Sequence, residues 1–154
     1  MSLRQNFRHT LTASFIGYIV QAIINNFAPL LFLTFQTTYA ISLDKIALLV
    51  TFNFGVQLVV DVLAAKFVDK IGYRISIVAA HLFSAAGLIG LTVLPEWFAD
   101  PYVGLLAAII LYAIGGGLIE VLISPIVEAC PTERKEAAMS LLHSFYCWGH
   151  VAVV

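Results

Sequence analysis

Residues 65–74 read Ala65-Lys66-Phe67-Val68-Asp69-Lys70-Ile71-Gly72-Tyr73-Arg74, and they lie between two apolar runs, Ile46 to Ala65 and Ile75 to Leu94. Each run has about the twenty residues that a helix rising ~1.5 Å per residue needs to cross ~30 Å of hydrocarbon. The decapeptide between them carries Lys66, Asp69, Lys70 and Arg74 and belongs at a membrane surface. Working outward, a run from Leu11 to Phe35 precedes this pair, joined to it by a short polar link with Ser42, Asp44 and Lys45. The run Ile75 to Leu94 is expected to stop at Pro95, and after Pro95-Glu96-Trp97-Phe98-Ala99-Asp100-Pro101 a further run extends from Tyr102 to Val127. A fifth begins near Ala137 and is still apolar at Val154. The sequence therefore predicts an all-α membrane protein with helices at about 11–35, 46–65, 75–94, 102–127 and 137–154. Four would be complete transmembrane helices and the fifth cut short, as in the N-terminal portion of a longer protein.

Composition agrees. Hydrophobic residues make up 61% of the 154 positions and charged residues 11%, against roughly 45 to 50% and 25% in soluble domains. A net charge of −1 offers nothing to nucleic acid. Cys130 and Cys147 stand too far apart for a zinc or redox motif and read as small packing residues. Arg4 and Arg8 precede the first run in the manner of a secretory signal, but that run is much longer than the ~7 to 15 residues of a signal core, so a retained helix is expected.

Basic residues set the expected orientation, because Lys and Arg stay on the cytoplasmic side during insertion. With the amino terminus inside, Arg4, Arg8, Lys66, Lys70, Arg74, Arg134 and Lys135 are cytoplasmic and only Lys45 is outside. Trp97, Phe98 and Tyr102 then fall at the outer ends of two helices, where aromatic rings favour the headgroup zone. A multi-pass protein of the plasma membrane with a cytoplasmic amino terminus is the expectation.

The decapeptide resembles the loop signature of the major facilitator superfamily, commonly Gly-x-x-x-Asp-Arg-x-Gly-Arg-Arg or Lys. Asp69, Gly72 and Arg74 match, Lys70 keeps the charge, and Ala65 and Tyr73 depart from the pattern. The resemblance implies a major-facilitator-like helical bundle, with Ala65, Asp69, Lys70, Gly72 and Arg74 as a cytoplasmic gating motif. A narrower resemblance lies in Gly115-Gly116-Gly117-Leu118-Ile119-Glu120-Val121-Leu122-Ile123-Ser124-Pro125, which looks like the fourth helix of the fucose, galactose and glucose proton-symporter branch, with Ser124 in place of the usual Asn. The segment from Leu141 to Gly149 is similar to the fifth helix of that branch. In that branch the position matched by Glu120 serves proton coupling.

The residues point to candidate sites on their own chemistry too. A carboxylate within a span costs ~2.5 to 3.5 kcal/mol, so Glu120 is expected to face a wet cavity, ~9 Å from the membrane centre, where it can exchange a proton. The bland alternative is a carboxyl bonded to a neighbouring helix. Gln21 and Asn25 share a helical face and, with Asn26, are candidates for binding a hydroxyl-rich solute or for holding helices together. Asn53 and Gln57, one turn apart, carry the same two readings. His143, Tyr146, Cys147 and His150 recur at intervals of three and four along one stripe, a candidate cavity lining rather than a metal site. His81 reads as a structural imidazole. Asp61 is expected to pair with Lys66 or Arg74, and Gly87, Gly90 and Gly115 to Gly117 to allow close helix packing.

The expected function is secondary transport of a small polar solute by alternating access, in sharper form a proton-coupled sugar symporter whose C-terminal half completes the site. The partners are then the solute, a coupling proton and the bilayer, with no cofactor, no metal and no enzymatic activity. A membrane scaffold or assembly subunit without transport is the competing reading.

Overall fold

The computed structural model describes residues 7–154, so Arg4 lies outside the described residues. Six helices follow in order: α1 (Phe7–Leu30), α2 (Phe32–Tyr39), α3 (Leu43–Ile71), α4 (Tyr73–Trp97), α5 (Pro101–Ala129) and α6 (Lys135–Val153). There is no strand among the described residues. Counting α1 and α2 as one, four segments are long and apolar enough to cross a membrane: Phe7–Tyr39, Leu43–Ile71, Tyr73–Trp97 and Pro101–Ala129. α6 has 19 residues and carries Lys135, Glu136, His143 and His150.

The helices outrun the apolar runs that announce them. The expected link 65–74 is mostly helix: α3 continues through Lys66, Asp69 and Lys70 to Ile71, and α4 begins at Tyr73. Nothing in that stretch opposes a helix before Gly72, because long charged side chains keep their heads in water while their backbone stays hydrogen-bonded. Gly72 is the whole turn. Its N–H closes on Val68 O at 2.7 Å, and its φ of 92° and ψ of 141° belong to a region that side chains with a Cβ avoid.

Pro95 does not stop α4, contrary to expectation, and the helix runs on to Trp97. Proline removes one bond, to the carbonyl one turn earlier. The next turn still closes, with Phe98 N–H donating to Leu94 O at 3.2 Å. Asp100 starts α5 as a conventional cap, its carboxylate accepting from Tyr102 N–H at 2.9 Å with Pro101 in the first turn.

α5 is the central element and packs against α1, α3, α4 and α6. Leu105, Ile109, Ile119, Ile123 and Val127 from α5 meet Ile24, Leu49, Leu91 and Leu142 from its neighbours in one core. Small residues make the α4 contact close: a Cβ on Gly87 would run into the backbone of Tyr112, and one on Gly115 into Ser84 and Ala80. This is the usual way membrane helices gain van der Waals contact, because lipid supplies no hydrophobic drive between them. The outward surface is apolar, with Leu33, Ile75, Ile89 and Leu82 among the most exposed side chains.

Two helix registers place the polar side chains of the interior. α1 and α6 run side by side in the same direction, Phe15 stacking on Phe145 at 5.0 Å and Gly149 lying against Ile19 and Ala22. α3 and α5 also run in the same direction: Gln57 lies against Gly116 and Gly117, and further along Ala64 and Val68 cluster with Leu122.

Candidate functional site

Spacing of three, four and seven residues puts Tyr18, Gln21 and Asn25 on one stripe of α1, turned towards α3, α5 and α6. The polar groups on those helices meet them there. Gln57 Nε2 donates to Asn25 Oδ1 at 3.0 Å and to Asn53 Oδ1 at 3.2 Å. Asn25 Nδ2 donates to Tyr146 OH at 3.4 Å, and Gln21 Nε2 to Glu120 Oε2 at 3.3 Å. Tyr18 OH and Ser124 Oγ are hydrogen-bonded at 2.9 Å. Tyr18 meets the rings of His143 and Tyr146 edge-on, at 5.6 and 6.2 Å between centroids.

Burial grades this cluster from dry to open. Gln21, Asn53 and Gln57 are 2%, 6% and 5% exposed, Asn25 and Tyr146 are half-buried, and Glu120 and His143 are exposed. Gly116 makes the room, since a Cβ there would stand 3.3 Å from Gln57 Nε2 and 3.6 Å from Gln21 Oε1. The arrangement is a set of donors and acceptors leading from inside the bundle to an accessible carboxyl group, suited to a solute that offers hydroxyls.

Of the residues singled out by sequence, Gln21, Asn25, Asn53, Gln57, Glu120, His143 and Tyr146 come together. Asn26 stands apart, its amide turned back to Ala22 O at 2.8 Å, and His81 Nδ1 is tied to its own helix at Ile77 O, 2.8 Å away. Asp61 Oδ1 is buried without a hydrogen-bond partner, so the pairing expected with Lys66 or Arg74 is not made there. Asp61 and Lys66 are five residues apart and leave the helix on different sides, while Arg74 lies past the turn on the next helix. Tyr18 is the contributor that sequence reasoning missed. Its spacing of three from Gln21 was the available signal, but a tyrosine in an apolar run reads as core.

The residues of the loop signature, Ala65, Asp69, Lys70 and Arg74, are exposed around Gly72 at the turn between α3 and α4. A groove of about 750 Å³ between α1, α4 and α5, with His9, Arg74 and His81 in its wall, includes none of the cluster residues.

Four apolar spanning segments packed around a polar, partly accessible interior define an integral membrane protein of the all-α class. A family model described as Major Facilitator Superfamily matches residues 10–153, and the chain belongs to that family. The members of this family are secondary transporters of small solutes and not enzymes. No curated protein and no solved structure matches the chain.

Proposed function

We propose that this chain is the N-terminal bundle of a secondary active transporter that moves a small polar solute, a sugar or a close relative, in symport with a proton taken up at Glu120. The observation that carries the reading is the hydrogen-bonded path Asn53–Gln57–Asn25–Tyr146, with Gln21–Glu120 beside it, inside an otherwise apolar bundle. Amides and a carboxyl group are costly in hydrocarbon and are tolerated where they face a wet interior. In transporters built from repeated bundles the solute site lies between the halves near the membrane midplane, so a C-terminal half is the proposed partner. The Gly-rich approach to Glu120 in α5 supports the sugar-symporter branch.

In the same reading, the basic ends Lys66, Lys70, Arg74, Arg134 and Lys135 face the cytoplasm of a cell whose plasma membrane holds the protein. Asp69, Lys70 and Arg74 around the Gly72 turn then meet the partner half in one state and release it in the other. The test is uptake of radiolabelled sugars into proteoliposomes holding the complete transporter, with and without an imposed pH gradient. Gradient-driven accumulation that disappears in Glu120→Gln supports the proposal; accumulation that survives the substitution sinks it.

A further inference from the structure

We infer that the side-chain amide of Gln21 is a two-position switch that carries the protonation state of Glu120 to the hydrogen-bonded path Asn53–Gln57–Asn25. The inference rests on the reading of Glu120 as the proton site and adds the group through which the solute path feels the proton. The two ends of this amide face different neighbours. Nε2 donates to Glu120 Oε2 at 3.3 Å, whereas Oε1 is buried and accepts no hydrogen bond. Oε1 lies towards the path: Gln21 Oε1 and Gln57 Nε2 stand 3.6 and 3.3 Å from one point, the place a Cβ on Gly116 would take. The Gln57 NH2 group is already spent on Asn25 Oδ1 and Asn53 Oδ1 and leaves Oε1 unsatisfied. At 2% exposure, Gln21 is also shut off from bulk water.

The chemistry of the carboxyl group decides which end faces it. An ionised carboxylate only accepts, so it holds the NH2 group of Gln21 and strands the amide oxygen on the path side. A protonated carboxyl donates. Half a turn of the amide then lets Oε1 accept the Glu120 O–H and puts the NH2 group where the lone oxygen stood. A buried acceptor without a donor is costly, so protonation favours the turned position. Gly116 leaves the space for the exchange, having no Cβ on that side. The proton arrives from water at Glu120, which is exposed, and stays there; only hydrogen bonds are exchanged.

The consequence falls on the solute. With Glu120 ionised the path presents an acceptor at this position, and with Glu120 protonated it presents a donor. A hydroxyl serves both states, since it donates and accepts, whereas an ether oxygen serves the protonated state alone and an ammonium group the ionised state alone. The other titratable groups facing the pair are Asp61 of α3 and Tyr18 of α1, both within electrostatic reach of Glu120, with Tyr146 and His143 of α6 against the Tyr18 ring. They bias the titration of Glu120, but the hydrogen bond that holds the Gln21 amide is made by Glu120 itself.

The experiment is nuclear magnetic resonance of the 154-residue chain in lipid nanodiscs over a series of pH values, with isotope labels on glutamine side-chain nitrogens and glutamate carboxyl carbons. The Gln21 amide is assigned by its loss in Gln21→Met. The expected result is a through-space cross-peak between the Gln21 NH2 and the Gly116 α-protons that is weak at alkaline pH, grows as the pH falls, and shares its midpoint with the Glu120 carboxyl. In Glu120→Gln, with helicity by circular dichroism as the folding control, the cross-peak should no longer respond to pH; in Asp61→Asn and His143→Gln it should still track Glu120. A cross-peak that stays constant through the Glu120 titration, one whose midpoint departs from that of Glu120, or a pH response that survives in Glu120→Gln would each overturn the switch. The first two outcomes are read in the native chain and need no variant to fold. Proton-driven uptake that survives Glu120→Gln sinks the proton-symport reading even where the amide turns, and a fixed amide in a protein whose uptake needs Glu120 sinks this inference alone.

Discussion

Gln57 and Asn25, from α3 and α1, are joined by a 3.0 Å hydrogen bond, and the same Gln57 amide reaches Asn53 one turn away at 3.2 Å. One buried NH2 group thus satisfies two carbonyl oxygens and fixes how two spanning helices face each other. Because Gln57 and Asn53 are buried and Asn25 is half-buried, the two contacts act on assembly as well as on any solute that later competes for them.

Replacing Gln57 with Leu should therefore destabilise the bundle by about 1 to 2 kcal/mol, two contacts at ~0.6 kcal/mol each plus the cost of leaving Asn25 and Asn53 with fewer donors. A double-mutant cycle with Asn25→Leu, read from reversible unfolding in bicelles, should return a coupling of about 0.6 kcal/mol. A coupling indistinguishable from zero would mean that the bond does not hold the helices.

Much of the fold was legible in the sequence because the membrane imposes one simple requirement, a helix of fixed minimum length in apolar residues. What lay outside the hydrocarbon was less legible. Lys66, Asp69 and Lys70 mark a surface, but they do not end a helix, and only Gly72 has the backbone that does. Pro95 marked an end three residues early, since one lost bond in a last turn is tolerated. The cluster was partly legible for a different reason: Gln21, Asn25, Asn53, Gln57 and Glu120 are conspicuous in apolar runs, whereas Tyr18 is not. That Asp61 stands one turn beyond Gln57, on the side of α3 that meets α5, depends on the register of α3 against α5, and no local pattern encodes a register between helices so far apart in the chain.

Glycines of two kinds give opposite predictions. Gly55 in α3 has open space where a Cβ would go, whereas a Cβ on Gly87 would stand 2.7 Å from Tyr112 Cβ and closer still to its backbone. Gly55→Ala should leave stability unchanged or raise it by up to about 1 kcal/mol through helix propensity. Gly87→Ala should cost roughly 1 to 3 kcal/mol by forcing α4 away from α5. Unfolding in bicelles that ranks the two variants in the opposite order would contradict the packing described for these helices.

Tyr18 gives a third outcome. Tyr18→Phe keeps the ring against His143 and Tyr146 but removes the hydroxyl that meets Ser124 at 2.9 Å. The loss should be about 0.6 kcal/mol, within the range of single hydrogen bonds between membrane helices, and Tyr18→Ala should cost several times more because the ring contacts and a core position go with it. Equal losses in the two variants would place the whole contribution in the hydroxyl and contradict a role for the ring.

The turn at Gly72 supplies the last prediction. With φ at 92° and ψ at 141°, this single residue reverses the chain between two helices of 29 and 25 residues. Any residue with a Cβ is strained there, by roughly 1 to 3 kcal/mol, although no neighbouring atom lies in the way of the new methyl group. Gly72→Ala should therefore destabilise the α3–α4 hairpin through the backbone alone. The chain can relieve the strain by unwinding the last turn of α3 or the first of α4, which carry Lys70 and Arg74. Limited trypsinolysis in nanodiscs should then cut faster after these two residues in Gly72→Ala than in the native chain, while cleavage after Lys45 at the opposite end stays the same. Gly72→Asn should behave like Gly72→Ala, since the tolerance of Asn for positive φ is confined to the left-handed helical region and a ψ of 141° lies outside it. Identical cleavage in all three proteins would show that the turn is not held in this conformation and that the spacing of Lys70 and Arg74 does not depend on glycine.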